Sequence, residues 1–138
     1  MRCTTLLATV ACLLAVGAAG CSKAQDDTVK GCATALTERI GGNASDTPAV
    51  SEAEERVDAF DKTLASMVRS GYQSVADHAF DEVEKKTQQG GKDRPEACES
   101  LSRDGYTALA MAKAIDSLGW TDGAGKFDKL KMAENLGN

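Results

Sequence analysis

A single histidine, His78, is all the imidazole that this 138-residue sequence offers. No metal site built on two histidines can be assembled from it. Aromatic side chains make up only 4% of the chain, so a core has to be built from Ala, Leu, Val and Met. Clusters of Lys and Arg are missing as well. With Arg2 set aside, 15 basic and 21 acidic side chains remain from residue 21 onward, a net charge of −6. A surface of that sign repels a phosphate backbone, which argues against a nucleic-acid partner. Glycine loops that cradle phosphates are also lacking, because Gly119 to Gly125 follows a helical pattern and not a strand. Asp122 to Asp128 fails as a calcium loop, since Ala124 and Lys126 stand where oxygen ligands belong. "RSGYQSVADHAF" contains no nucleophile elbow, and no nucleophile–base set stands out elsewhere.

What is present is a globular composition, 42% apolar and 27% charged, at a length suited to one domain. The N-terminal end differs from the rest. Cys3 to Gly20 carries no charge over 18 residues, preceded by Arg2 and densest in apolar side chains at Leu6–Val16. A permanent span needs about 20 apolar residues, and this run ends in small ones. Residues 1–20 therefore read as a processing segment, for which an ordinary cleaved signal and a retained anchor are the alternatives.

A third reading comes from Ala18-Ala19-Gly20-Cys21, which resembles the lipobox of bacterial lipoproteins, with Ala18 where Leu is usual. The resemblance implies cleavage before Cys21, a diacylglycerol thioether on its sulfur and acylation of its amine. Two or three acyl chains anchor stably where one does not. Residues 21–27 then form a polar tether, and residues 28–138 the domain. The chain as a whole resembles small lipoproteins of high-GC Gram-positive bacteria. On this reading Cys3 and Cys12 leave with the signal and Cys21 takes lipid. Cys32 and Cys98 remain as an even pair in an oxidising compartment, so a disulfide between them is expected, with two buried free thiols as the alternative.

The pattern from residue 28 on predicts an all-α bundle of four to five helices. Val29, Cys32, Ala33, Leu36 and Ile40 form one stripe, which Gly41-Gly42 ends. Gly42 to Pro48 is a loop. Ser51–Glu54 reads as a capping box. From there a helical pattern continues to about Thr87, and a straight rod of that length would span roughly 55 Å. The apolar phase slips at Ser70-Gly71, between an arc ending in Met67 and Val68 and one holding Tyr72, Val75, Ala76, Ala79, Phe80 and Val83. A kink or π-bulge joining two halves would absorb the slip, with a split of the 51–87 stretch as the third alternative. After a loop over Gln88–Pro95 and a short turn at Pro95–Cys98, Ser102 caps a helix to Leu118. Ala108, Leu109, Met111, Ala112, Ile115 and Leu118 share its apolar arc, with Lys113 and Ser117 opposite, and this element is expected to be the most buried. Trp120 folds back. A weak last helix runs from Lys126 to Leu136, with Phe127, Leu130 and Ala133 on one side.

The only chemical cluster is Asp77, His78, Asp81 and Glu82. His78 and Glu82 share a helix face, and a solvated acidic surface accounts for all four. No catalytic, cofactor or metal residues are assigned. The site residues are Cys21 for lipid and Cys32 with Cys98 for the disulfide. The expected function is a non-enzymatic interaction module, lipid-anchored at the extracytoplasmic face of the cell membrane, with an unknown protein or small-ligand partner. A ligand- or metal-binding lipoprotein serving a transporter or sensor is the alternative. An apolar cavity with convergent polar groups would favour the second, and an exposed patch containing Trp120 or Tyr106 the first.

Overall fold

Ser102 starts the helix around which the others pack. Its Oγ accepts the Gly105 N–H at 3.0 Å, and helix α4 follows over Arg103–Ser117. Gly105, Ala108, Leu109, Ala110, Ala112, Lys113, Ala114 and Ile115 are all buried. Four consecutive buried residues, Ala112 to Ile115, point to every side of a helix. So α4 is enclosed, as its many small residues permit. The computed structural model describes residues 18–137, with side chains from Lys23 onward. Residues 1–17 of the expected signal and the Cys21 side chain lie outside the described residues.

Around α4 stand α1 (Ala18–Ile40), α2 (Val50–Arg69) and α3 (Gln73–Gln89), each in contact with it, and α5 (Lys129–Leu136) closes the chain. Among the described residues the protein is all-helical, with one 3-10 turn at Glu96–Cys98 and a lone antiparallel bridge between Thr121 and Phe127. The expected stripe of α1 is buried in full, from Val29 through Ile40. Gly41 then takes φ +93° and donates to Thr37 O, the left-handed stop that glycine allows.

Four details differ from the sequence reading. First, α1 begins at Ala18, so the expected tether over 21–27 is helical. Lys23, Ala24 and Gln25 favour helix, and Thr28 Oγ1 donates back to Ala24 O at 2.8 Å. Second, the chain is fully broken at the phase slip. Tyr72 N–H donates to Met67 O and Gly71 N–H to Val68 O, with Gly71 at φ +84°, a Schellman stop and not a kink or bulge. Third, α2 starts one residue before Ser51. Ala49 is the N-cap, and the Glu52 carboxylate accepts the Ala49 N–H at 2.8 Å. Buried Pro48 holds the entry in place, and Val50 can then pack on α4 beside Gly105. Fourth, α5 starts after Asp128, whose carboxylate accepts the N–H groups of Leu130 and Lys131. That start places Phe127 outside the helix. Met132 becomes the buried residue, and Leu130 faces out.

Trp120 does fold back. Its ring stacks 6.1 Å from Phe60, which meets Phe127 edge-on at 5.6 Å. Cys32 and Cys98 are both fully buried and joined, with sulfurs 2.04 Å apart and a sequence separation of 66.

Closing a loop of that size restrains the unfolded chain by roughly 4 kcal/mol on chain-entropy grounds, a large share of a typical 5–15 kcal/mol stability. Cys98→Ser is expected to lower the melting temperature by more than ~10 °C and to loosen α1 first. Thermal melts with and without reductant, alongside amide exchange over residues 28–40, check this. A shift below ~3 °C would leave the apolar stripe alone holding α1.

Candidate functional site

Two regions carry charge or exposed apolar surface in a way that packing alone does not require. The first is interior. Lys113, expected on the solvent side of α4, is fully buried. Its ammonium donates to Asp46 O at 2.8 Å and Asn43 O at 3.0 Å, with Asp116 Oδ2 at 3.5 Å and Asp46 Oδ2 at 3.7 Å. Arg56, likewise buried, forks onto Asp46 at 2.8 and 3.0 Å and donates to Ala112 O at 3.1 Å. Asp116 accepts the Asn43 N–H at 2.6 Å and the Thr121 hydroxyl at 2.8 Å. Two cations thus meet two carboxylates in a neutral set, with the buried Arg56 Nε left without a partner. Its spacing demands glycine at two positions. A Cβ at Gly42 would lie 2.5 Å from Asp116 Oδ2, and one at Gly125 would lie 2.9 Å from Asp46 Oδ1.

The second region is at one end of the bundle, and the chain's course fixes which end. Near the start of α4, Leu101 N–H donates to Cys98 O, and Cys98 is bonded to Cys32 of α1. Gly41 sits beside Ser117 at the other end of α4. Helix α2 follows the same direction, with Val50 beside Gly105 and Arg56 at Ala112, so its last turns pass the C-terminal end of α4. Here the ends of α2 and α5 border a groove of about 450 Å³. Lys62, Ser66 and Met67 form one wall, Lys129, Leu130 and Ala133 the other, and Tyr72 stands at its edge. Tyr72 is 62% exposed and Leu130 67%, with Val68 nearby in sequence at 46%. The N-terminal end of α1 lies at the opposite pole. Lys23 to Asp27 are all exposed there, more than a full turn with no packed face.

Trp120 and Tyr106 do not supply the patch that sequence reasoning looked for. Trp120 is buried, and the half-buried Tyr106 ring lies 4.8 Å under the Arg94 guanidinium. Asp77, His78 and Asp81 are exposed on α3 with Glu82 half-buried, and Glu82 faces Lys85 at 3.9 Å. Among the described residues no group of three or more His, Cys, Asp or Glu is placed to hold a metal ion, and no helix is long and apolar enough to cross a membrane. A second concavity, of about 560 Å³, is bordered by Glu52, Glu55, Arg56, Lys126 and Phe127. In the adjoining turn the Lys126 N–H, aided by that of Ala124, holds the Asp122 carboxyl below its ordinary range. That contribution to the turn is present at neutral pH and fades as acid protonates the group. On α2, burial and then neighbouring Asp58 raise the Asp61 carboxyl.

No family model, curated protein or solved structure matches the chain. The site therefore stands on its own geometry.

Removing one member of a buried ion set leaves its partner uncompensated, at a cost of about 3–5 kcal/mol. Asp46→Ala is expected to destabilise the domain by that amount in urea unfolding, and a loss under ~1 kcal/mol would mean that water replaces the carboxylate. His78→Ala is expected to change stability by no more than ~0.5 kcal/mol and to alter no zinc or calcium titration.

Proposed function

We propose that this protein is a lipid-anchored, extracytoplasmic interaction module with no catalytic chemistry of its own. The observation that carries the interaction reading is the exposed groove at Tyr72 and Leu130. Exposed apolar side chains gathered at one concavity with a polar rim suit a contact site. Its pole lies opposite the end of the bundle from which α1 leaves toward Cys21. A domain held at that cysteine presents the groove away from the bilayer, where a partner can reach it. The lipobox-like Ala18-Ala19-Gly20-Cys21 supports the anchor, and the Cys32–Cys98 pair suits an oxidising compartment.

The ligand-binding alternative rests on the second concavity. Arg56, its most buried cation, already has both terminal nitrogens bound by Asp46, and its unpartnered Nε is buried away from the opening. The groove is therefore the stronger of the two surfaces.

Cys21→Ala is expected to abolish incorporation of a clickable palmitate analogue and to block normal maturation, because that thiol is the attachment point the sequence offers. In-gel fluorescence after metabolic labelling decides the matter. Equal labelling of wild type and mutant would sink the anchor.

A further inference from the structure

We infer that the groove between α2 and α5 is built for an amphipathic protein segment that carries carboxylates beside its apolar face. This rests on the interaction-module reading and adds the partner's chemistry to it. The argument is charge complementarity. The residues lining the groove include two lysines, one from each wall, and no acidic side chain. That local sign runs against a chain whose acidic residues outnumber its basic ones 21 to 16. Lys62 shares only an exposed pair with Asp58 at 2.5 Å, both side chains more than half open to water, which is a weak competitor for a docking carboxylate. Lys129 is exposed on the facing wall.

Between the lysines the walls offer the aliphatic surface of Met67, Leu130 and Ala133, interrupted by the hydroxyl side chains of Thr63, Ser66 and Ser70, and the exposed Tyr72 ring stands at the edge. A segment presenting two or three apolar side chains at helical spacing fits such a surface, with acids flanking them to meet Lys62 and Lys129. A second copy of this chain fits less well. Across a twofold axis through the groove, lysine-bearing walls would face lysine-bearing walls. An anionic membrane fits the charge but not the place, because the groove lies at the pole away from α1's free end.

The test uses the exported full chain in zwitterionic nanodiscs and three fluorescein-labelled 14-residue peptides. All three carry leucines along one helical face, and their other positions are glutamate, glutamine or lysine. The glutamate peptide is expected to bind at least tenfold more tightly than the other two, and to weaken as salt rises from 50 to 500 mM. Lys129→Glu and Leu130→Ser should each weaken it at least tenfold, while Phe80→Ser, an exposed apolar change on α3 outside the groove, should move it less than twofold. Circular dichroism confirms that the variants fold. Equal binding of all three peptides overturns the acidic-partner chemistry and leaves the interaction module standing. A Leu130-dependent dimer, or Leu130-dependent capture of phosphatidylglycerol vesicles with no peptide preference, overturns it in favour of that occupant. If no peptide, vesicle or second copy engages the groove, both the partner chemistry and the module reading fall.

Discussion

Lys113 sits fully buried in the second half of the central helix, and the surrounding chain is arranged to answer that charge. Two of its partners are backbone carbonyls, of Asn43 and Asp46, so the loop after α1 must lie along α4. Once Asp46 is held there, its carboxylate is within reach of Arg56, and α2 is set in phase against α4. Phe60, one turn further on, then meets Trp120, and the end of α2 reaches the pole where the groove opens. The contribution of such a cluster to net stability is small or even negative relative to an apolar filling. Its importance is positional. Few other arrangements of the 42–48 loop would satisfy two buried cations at once, so the cluster selects one course among many that burial alone would accept.

The same physics explains what could be read from residue types. The α1 stripe was legible because Val29, Leu36 and Ile40 are large and strictly spaced. Ser102 was legible because a hydroxyl before a helical run is a strong local signal. Lys113 was not. Helix α4 carries small residues such as Gly105, Ala110 and Ala114, whose slight hydrophobicity gives little periodic signal and so hides the full extent of burial. A lone lysine among them reads as a solvent mark. The starts of α2 and α5 were misplaced for a related reason. Of the overlapping frames, Ser51–Glu54 has the better N-cap by about 1 kcal/mol over alanine, and the packing of Val50 beside Gly105 overrides that local preference in favour of Ala49–Glu52. Extending α5 back to Lys126 put Leu130 on the wrong face and concealed the groove.

Scarcity of aromatics makes their placement informative. Of six in the chain, Phe60, Trp120 and Phe127 form one cluster under the C-terminal end of α4. Tyr106 is used against Arg94. Tyr72 and Phe80 are left largely in water. A domain with so little aromatic material and a core rich in alanine would gain from burying either ring. Tyr72 is kept out by the Schellman stop at Gly71, which turns the chain before the ring can return to the core.

The two poles are also mechanically different. Among the described side chains of α1, Val29 and Cys32 are the first that are buried, and the disulfide leads from Cys32 directly to the segment that enters α4. On the proposed anchoring, a pull on the N-terminal turns of α1 would pass through that covalent link into the central helix before it could peel the apolar stripe. The groove, near the far end of α2, would feel little of it. Separating the end proposed to be anchored from the end proposed to meet a partner would let each be built for one task. The bundle between them needs only to keep its register, and the Lys113 cluster holds that register.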